Sequence, residues 1–132
     1  MKKNKELWMK FKPLDKLKKK YILDSIFEND KEGLVIKLIS EDDSSKLKII
    51  FDGYVVSYRS IDESFYWRSW DLDGDFYIVE NSEYVDWLVN KASDFGKSHA
   101  KDLNLKHFVF TDQDCIFEVI ASYEPIVEIE EA

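Results

Sequence analysis

Four short apolar stretches follow one another from residue 21 to residue 58: Tyr21-Ile22-Leu23-Asp24-Ser25-Ile26-Phe27, Gly33-Leu34-Val35-Ile36-Lys37-Leu38-Ile39, Lys46-Leu47-Lys48-Ile49-Ile50-Phe51 and Tyr54-Val55-Val56-Ser57-Tyr58. They are rich in β-branched and aromatic residues, which suit a pleated, half-buried surface. Their connectors, residues 28–32, residues 41–45 and Asp52-Gly53, are polar turn formers of hairpin length. The pattern predicts an antiparallel β-meander. Residues 76–79 predict another short strand, and Leu105 to Phe110 and Cys115 to Ala121 predict a hairpin around Thr111-Asp112-Gln113-Asp114. Val127 to Ile129 adds a candidate last strand.

The apolar period changes to a helical one twice. Tyr84, Val85, Leu88, Ala92 and Phe95 form one stripe, with Ser82 as N-cap, Glu83 and Asp86 in the first turn and Gly96 as a stop, which predicts a helix over about 82–95. Near the start, Leu7, Trp8, Phe11, Leu14, Leu17 and Tyr21 recur at near-helical spacing between lysines. Pro13 removes a backbone donor there, so the expectation is a short, interrupted helical segment. Strands in runs, rather than in βαβ alternation, predict a single-domain α+β fold: an antiparallel meander sheet with the main helix and the N-terminal helical segment packed on it. The chain divides into a basic N-terminal helical segment, 1–20, and an acidic α+β domain, 21–132.

Charge makes that division sharper. The formal net charge of the 132 residues is −8, but the first twenty hold nine lysines against two acids, a balance of +7 that leaves −15 on the other 112. A basic segment on an acidic body marks different electrostatic partners. The lysines, interleaved with Trp8 and Phe11, offer nucleic-acid binding as one alternative, although the acidic body would repel a polyanion extending past them. Apolar runs such as Ile49-Ile50-Phe51 fall far short of a bilayer span. Lysines also continue where a secretory signal would place its apolar region. With a single cysteine, Cys115, the expected compartment is the reducing cytoplasm, and the expected state of Cys115 is a free, buried thiol.

Candidate chemistry is sparse. Asp71-Leu72-Asp73-Gly74-Asp75 resembles the start of a calcium loop, but the positions that need glycine and a bidentate glutamate hold Phe76 and Ser82, so a solvated turn is expected and no metal site. His99, His107 and Cys115 lack metal-ligand spacing, and neither a nucleophile elbow nor a phosphate loop is present, so no cofactor and no catalytic residue is assigned. If Asp112 and Gln113 form the hairpin tip, His107 lies opposite Glu118 and Phe110 opposite Cys115. A pocket near His107, Glu118 and Arg59 is therefore the alternative reading, a small ligand-binding domain or enzyme in which the carboxylate raises the basicity of the imidazole. Cross-strand pairs of this kind also simply stabilise sheets.

The stretch from Tyr58 to Trp70 contains both arginines of the chain and two of its four tryptophans. Such residues dominate interface hot spots. Arg59, Asp62, Glu63, Tyr66, Trp67, Arg68, Trp70, Asp71, Asp73 and Asp75 are the candidate protein-binding residues, an aromatic surface whose acids complement a basic partner.

Phe51-Asp52-Gly53, Ser57-Tyr58-Arg59 with Asp62-Glu63, Ser82-Glu83-Tyr84-x-x-Trp87-Leu88, and Leu105-Lys106-His107-Phe108 followed by Cys115-Ile116-Phe117-Glu118-Val119-Ile120 and Pro125 resemble, in that order, small cytoplasmic proteins of low-GC Gram-positive bacteria. Some of these look like immunity proteins encoded beside secreted polymorphic toxins. The resemblance covers roughly residues 47–127. It implies a non-catalytic role: binding a cognate toxin domain, often a basic nuclease, and blocking its active site with an acidic surface.

Overall fold

The computed structural model describes residues 6–12, 21–62, 76–92, 94, 104–111 and 115–131. Among the described residues the elements in chain order are β1 (Leu7–Lys10), β2 (Tyr21–Asn29), β3 (Gly33–Ser40), β4 (Lys46–Phe51), β5 (Ser57–Asp62), β6 (Phe76–Glu80), α1 (Glu83–Asn90), β7 (Lys106–Thr111), β8 (Cys115–Ala121) and β9 (Ile126–Glu130). The fold is α+β and rich in β structure. Its strands form two antiparallel sheets, β1-β6-β7-β8-β5 and β2-β3-β4-β9, rather than the single meander expected from the sequence.

The meander survives as β2-β3-β4, where hairpin connectors keep consecutive strands adjacent. Alternation along β3 and β4 puts Leu34, Ile36, Leu38, Leu47, Ile49 and Phe51 in the core, and that apolar face needs a second layer. Phe108 and Phe110 of β7 supply it, with ring centroids 5.5 and 6.1 Å from that of Phe51 across the gap between the sheets. Phe76, Phe117, Val119 and Ala121 extend the same core. The chain changes sheets after β4, where the Gly53 N–H donates to Tyr123 Oη at 2.8 Å and the Val56 N–H to the Ile120 carbonyl at 3.0 Å. The strand expected at residues 54–58 therefore lies later, as β5. Tyr54 is exposed at the crossing, and Ser57, Arg59 and Ile61 pair with Ile120, Glu118 and Ile116 of β8.

The N-terminal helical segment is corrected as well. Residues 7–10 are the strand β1, paired with β6 from Leu7↔Glu80 to Lys10↔Tyr77. Trp8 packs edge-on to Tyr77 at 5.6 Å on one face of the sheet. Phe11 enters the core against Phe108, its N–H donating to the Phe76 carbonyl at 2.8 Å. The i, i+3 spacing of Trp8 and Phe11 reflects two different burial sites, not a helical stripe. Residues 13–20 lie outside the described residues.

Asn81, at φ 55°, turns the chain from β6 into α1, a left-handed conformation that asparagine tolerates better than most residues. Ser82 caps the helix as expected, but α1 ends at Asn90 instead of continuing to about residue 95. The N–H groups of Lys91 and Ala92 both donate to the Trp87 carbonyl at 2.9 Å, closing the last turn early. Phe95 and Gly96 lie outside the described residues. Among those described, no helix is long and apolar enough to cross a membrane.

Candidate functional site

On the outer face of the five-stranded sheet, opposite the core, six polar side chains converge at the first turn of α1. The register of the last hairpin differs by two residues from the expected one. His107 pairs with Ile120, Val109 with Glu118, and Phe110 with Phe117, while Cys115 pairs with Asp62 across β5. A slip of two preserves which face each side chain occupies. His107 and Glu118 are thus diagonal neighbours on the outer face, and Nε2 of His107 lies 2.8 Å from Oε1 of Glu118. Cys115 is half-buried at the start of β8, less enclosed than expected.

Arg59 reaches the same carboxylate from β5, donating through Nε to Oε2 at 2.5 Å and through Nη2 to Oε1 at 3.2 Å. Its guanidinium lies 3.9 Å over the Tyr84 ring, and the Tyr84 hydroxyl is hydrogen-bonded to that of Ser57. Ser82 closes the network from the other side. Its Oγ accepts from the Val85 N–H at 3.0 Å and lies 2.8 Å from Nδ1 of His107. With the helix amide donating to the serine, the hydroxyl proton points to Nδ1, and the Nε2–H of His107 donates to Glu118, which satisfies every partner with one tautomer.

The charges here are not evenly exposed. Glu118 is 0% and His107 2% exposed, whereas the Arg59 side chain is 49% exposed. Burial pushes the Glu118 carboxyl up, but the hydrogen bonds from His107 and Arg59, with the Arg59 charge, outweigh it and hold the group below its ordinary range. At the sheet crossing, burial and the nearby Asp52 charge raise the Tyr123 phenol, against the lowering effect of the Gly53 N–H.

Serine, imidazole and carboxylate in a row is the order of a nucleophile relay. Each member here is also engaged in the fold. Ser82 caps α1 by accepting from the Val85 N–H, and the neighbouring Glu83 N–H is taken at 2.8 Å by Oε2 of Glu6 from the segment before β1. Trp8 Nε1 donates to the other oxygen of Glu6 at 3.3 Å. The arrangement joins β1, β5, β7, β8 and α1 through hydrogen bonds, of which those to the carboxylates of Glu118 and Glu6 are charge-assisted and stronger than neutral ones.

Of the candidate binding residues, Arg59 and Asp62 are described, both on the exposed strand β5, with Arg59 in the network. Glu63, Tyr66, Trp67, Arg68, Trp70, Asp71, Asp73 and Asp75 lie outside the described residues, as does His99. Among the described residues no group of three or more His, Cys, Asp or Glu side chains is placed to hold a metal ion. Sequence reasoning missed Glu6, Tyr84 and the second role of Ser82. A capping serine is legible from its position, but its bond to a histidine 25 residues away is not. Comparison of the chain with protein-family models, curated proteins and solved structures finds no match in any of the three.

Proposed function

We propose that this protein is a cytoplasmic, non-catalytic binding module whose acidic surface takes a basic protein partner, in the manner of an immunity protein that neutralises a basic toxin domain. The observation carrying this reading is the charge of the surface. Among the described residues sixteen Asp and Glu side chains are exposed against six Lys and Arg, while the most deeply buried carboxylate, Glu118, is spent on internal partners. An excess of that size steers oppositely charged proteins and repels nucleic acid. The polar network, in this reading, fixes the scaffold rather than performing chemistry.

The test is co-expression with the product of the adjacent gene. The expected result is co-purification that weakens as salt rises, with protection of cells from a toxic neighbour. Failure either to co-purify with or to protect against any adjacent toxin refutes the reading. The alternative, a ligand pocket at Arg59, His107 and Glu118, is the weaker reading, because the three side chains are bonded to one another with His107 and Glu118 buried; it predicts small-molecule binding that Arg59→Met abolishes.

A further inference from the structure

A cleft of about 880 Å³ lies between α1 and the adjoining ends of β1, β6 and β7, within the size range of sites that enclose a ligand or a few side chains. Its apolar lining comes from Met9, Ile78, Val85, Val89 and Leu105, and Met9 is 45% exposed. Its acidic residues are Glu80, Glu83 and Asp86, with Lys106 as the cation among the lining residues. Of these three acids, Glu80 and Glu83 are exposed to solvent. The cleft sits at the β1 edge of the five-stranded sheet, the edge opposite β5.

We propose that this cleft is the docking site for a basic segment of a partner protein, an aliphatic or aromatic side chain seated on the Met9–Val89 floor and flanking Lys or Arg residues paired with Glu80, Glu83 and Asp86. The inference rests on the binding reading above and gives it a location. Charge complementarity selects the occupant: an apolar floor bordered by three carboxylates against one ammonium favours a cationic, amphipathic chain over an acidic peptide or an anionic membrane surface. The cleft's helical wall is also fixed in advance. Ser82 ties α1 to His107, Tyr84 lies beneath Arg59, and Glu6 holds the Glu83 N–H, so the partner meets a wall that is already ordered.

Two measurements test the assignment. A short lysine–leucine peptide, titrated into the ¹⁵N-labelled full chain, is expected to shift the amides of Met9, Ile78, Val85, Val89 and Leu105, and its glutamate–leucine counterpart is expected to leave them in place. The charge reversal E80K/E83K/D86K is expected to weaken the lysine–leucine peptide about tenfold, and E124K/E128K/E130K, in and beside β9, to leave its affinity within about twofold. Because reversing two first-turn acids weakens α1, the neutral pair E80Q/E83Q serves as a second variant, with an intermediate loss expected. Absence of shifts in the cleft, equal response to both peptides, or equal loss from the two charge reversals overturns the proposal. In the co-expression assay, a partner that binds wild type and E80Q/E83Q equally refutes the cleft alone. A partner that fails to bind wild type refutes the binding reading itself.

Discussion

Glu118→Gln probes the energetics of the buried network, because it keeps the side chain's shape while removing its charge and one acceptor oxygen. The carboxylate accepts from His107 Nε2 at 2.8 Å and from two nitrogens of Arg59 at 2.5 and 3.2 Å. A glutamine keeps one acceptor oxygen and turns an NH₂ group toward a donor, so one of these partners faces a like group. Hydrogen bonds to charged groups contribute about 1.5–3 kcal/mol each, and a buried donor left unsatisfied costs about 1–3 kcal/mol. The half-exposed Arg59 can turn to water, so its share is discounted; His107, 2% exposed, has no such recourse. The neutral side chain also avoids the cost of burying a charge. The net expectation is a destabilisation of about 2–3 kcal/mol. With a urea m-value of about 2 kcal/mol/M, the midpoint falls by about 1–1.5 M at neutral pH.

Urea titrations followed by tryptophan fluorescence measure this midpoint, and repeating them across pH adds a second check. The folded pKa of Glu118 is depressed below the ordinary 4.5, so its contribution is fully present above that value and is lost as pH falls through the lower folded value. The gap between wild type and Glu118→Gln therefore narrows in acid. A midpoint shift under about 0.3 M at neutral pH, or a gap that widens on acidification, refutes the assignment of Glu118 as a charged staple.

Ser82→Ala removes both the α1 cap and the partner of His107 Nδ1, for an expected loss of about 2–3 kcal/mol in chemical denaturation. Gly33→Ala is expected to cost about 3 kcal/mol, because φ is +83° there and an added Cβ would lie 2.2 Å from the Phe51 carbonyl oxygen; the thermal midpoint reads it. Tyr123→Phe deletes the acceptor of the Gly53 N–H at the sheet crossing and is expected to cost about 1 kcal/mol, with unchanged near-UV ellipticity showing that the ring keeps its place.

The three meander strands and the last hairpin are legible because their apolar runs and turn residues are local signals. The N-cap at Ser82 is legible for the same reason. What escaped are features set by distant partners. The crossing at Asp52-Gly53 looks like a hairpin turn, and only the Tyr123 hydroxyl and the pairing of β5 with β8 send the chain to the other sheet. Four residues of β1 are too few to display a period of two, and the neighbouring lysines imitate an amphipathic helix. The contact of His107 with Glu118 was foreseeable through parity along the hairpin although the register itself was not. Glu6 reaches an amide 77 residues away, and no spacing rule connects them.

The strand β1 also determines how the positive charge of this protein can be probed. Cutting the chain after Lys20 would remove nine lysines, but it would also uncover Tyr77 and Val79, strip the outer neighbour from β6 and release the Glu83 amide from Glu6. A loss of any property in such a truncation would report on the sheet as much as on the lysines. Exchanging the exposed Lys10 and Lys12 for glutamine, with Leu7, Trp8 and Phe11 left in place, separates the two effects. Residues 7–11 are thus one unit in folding with the acidic body, and point substitutions distinguish electrostatics from architecture there.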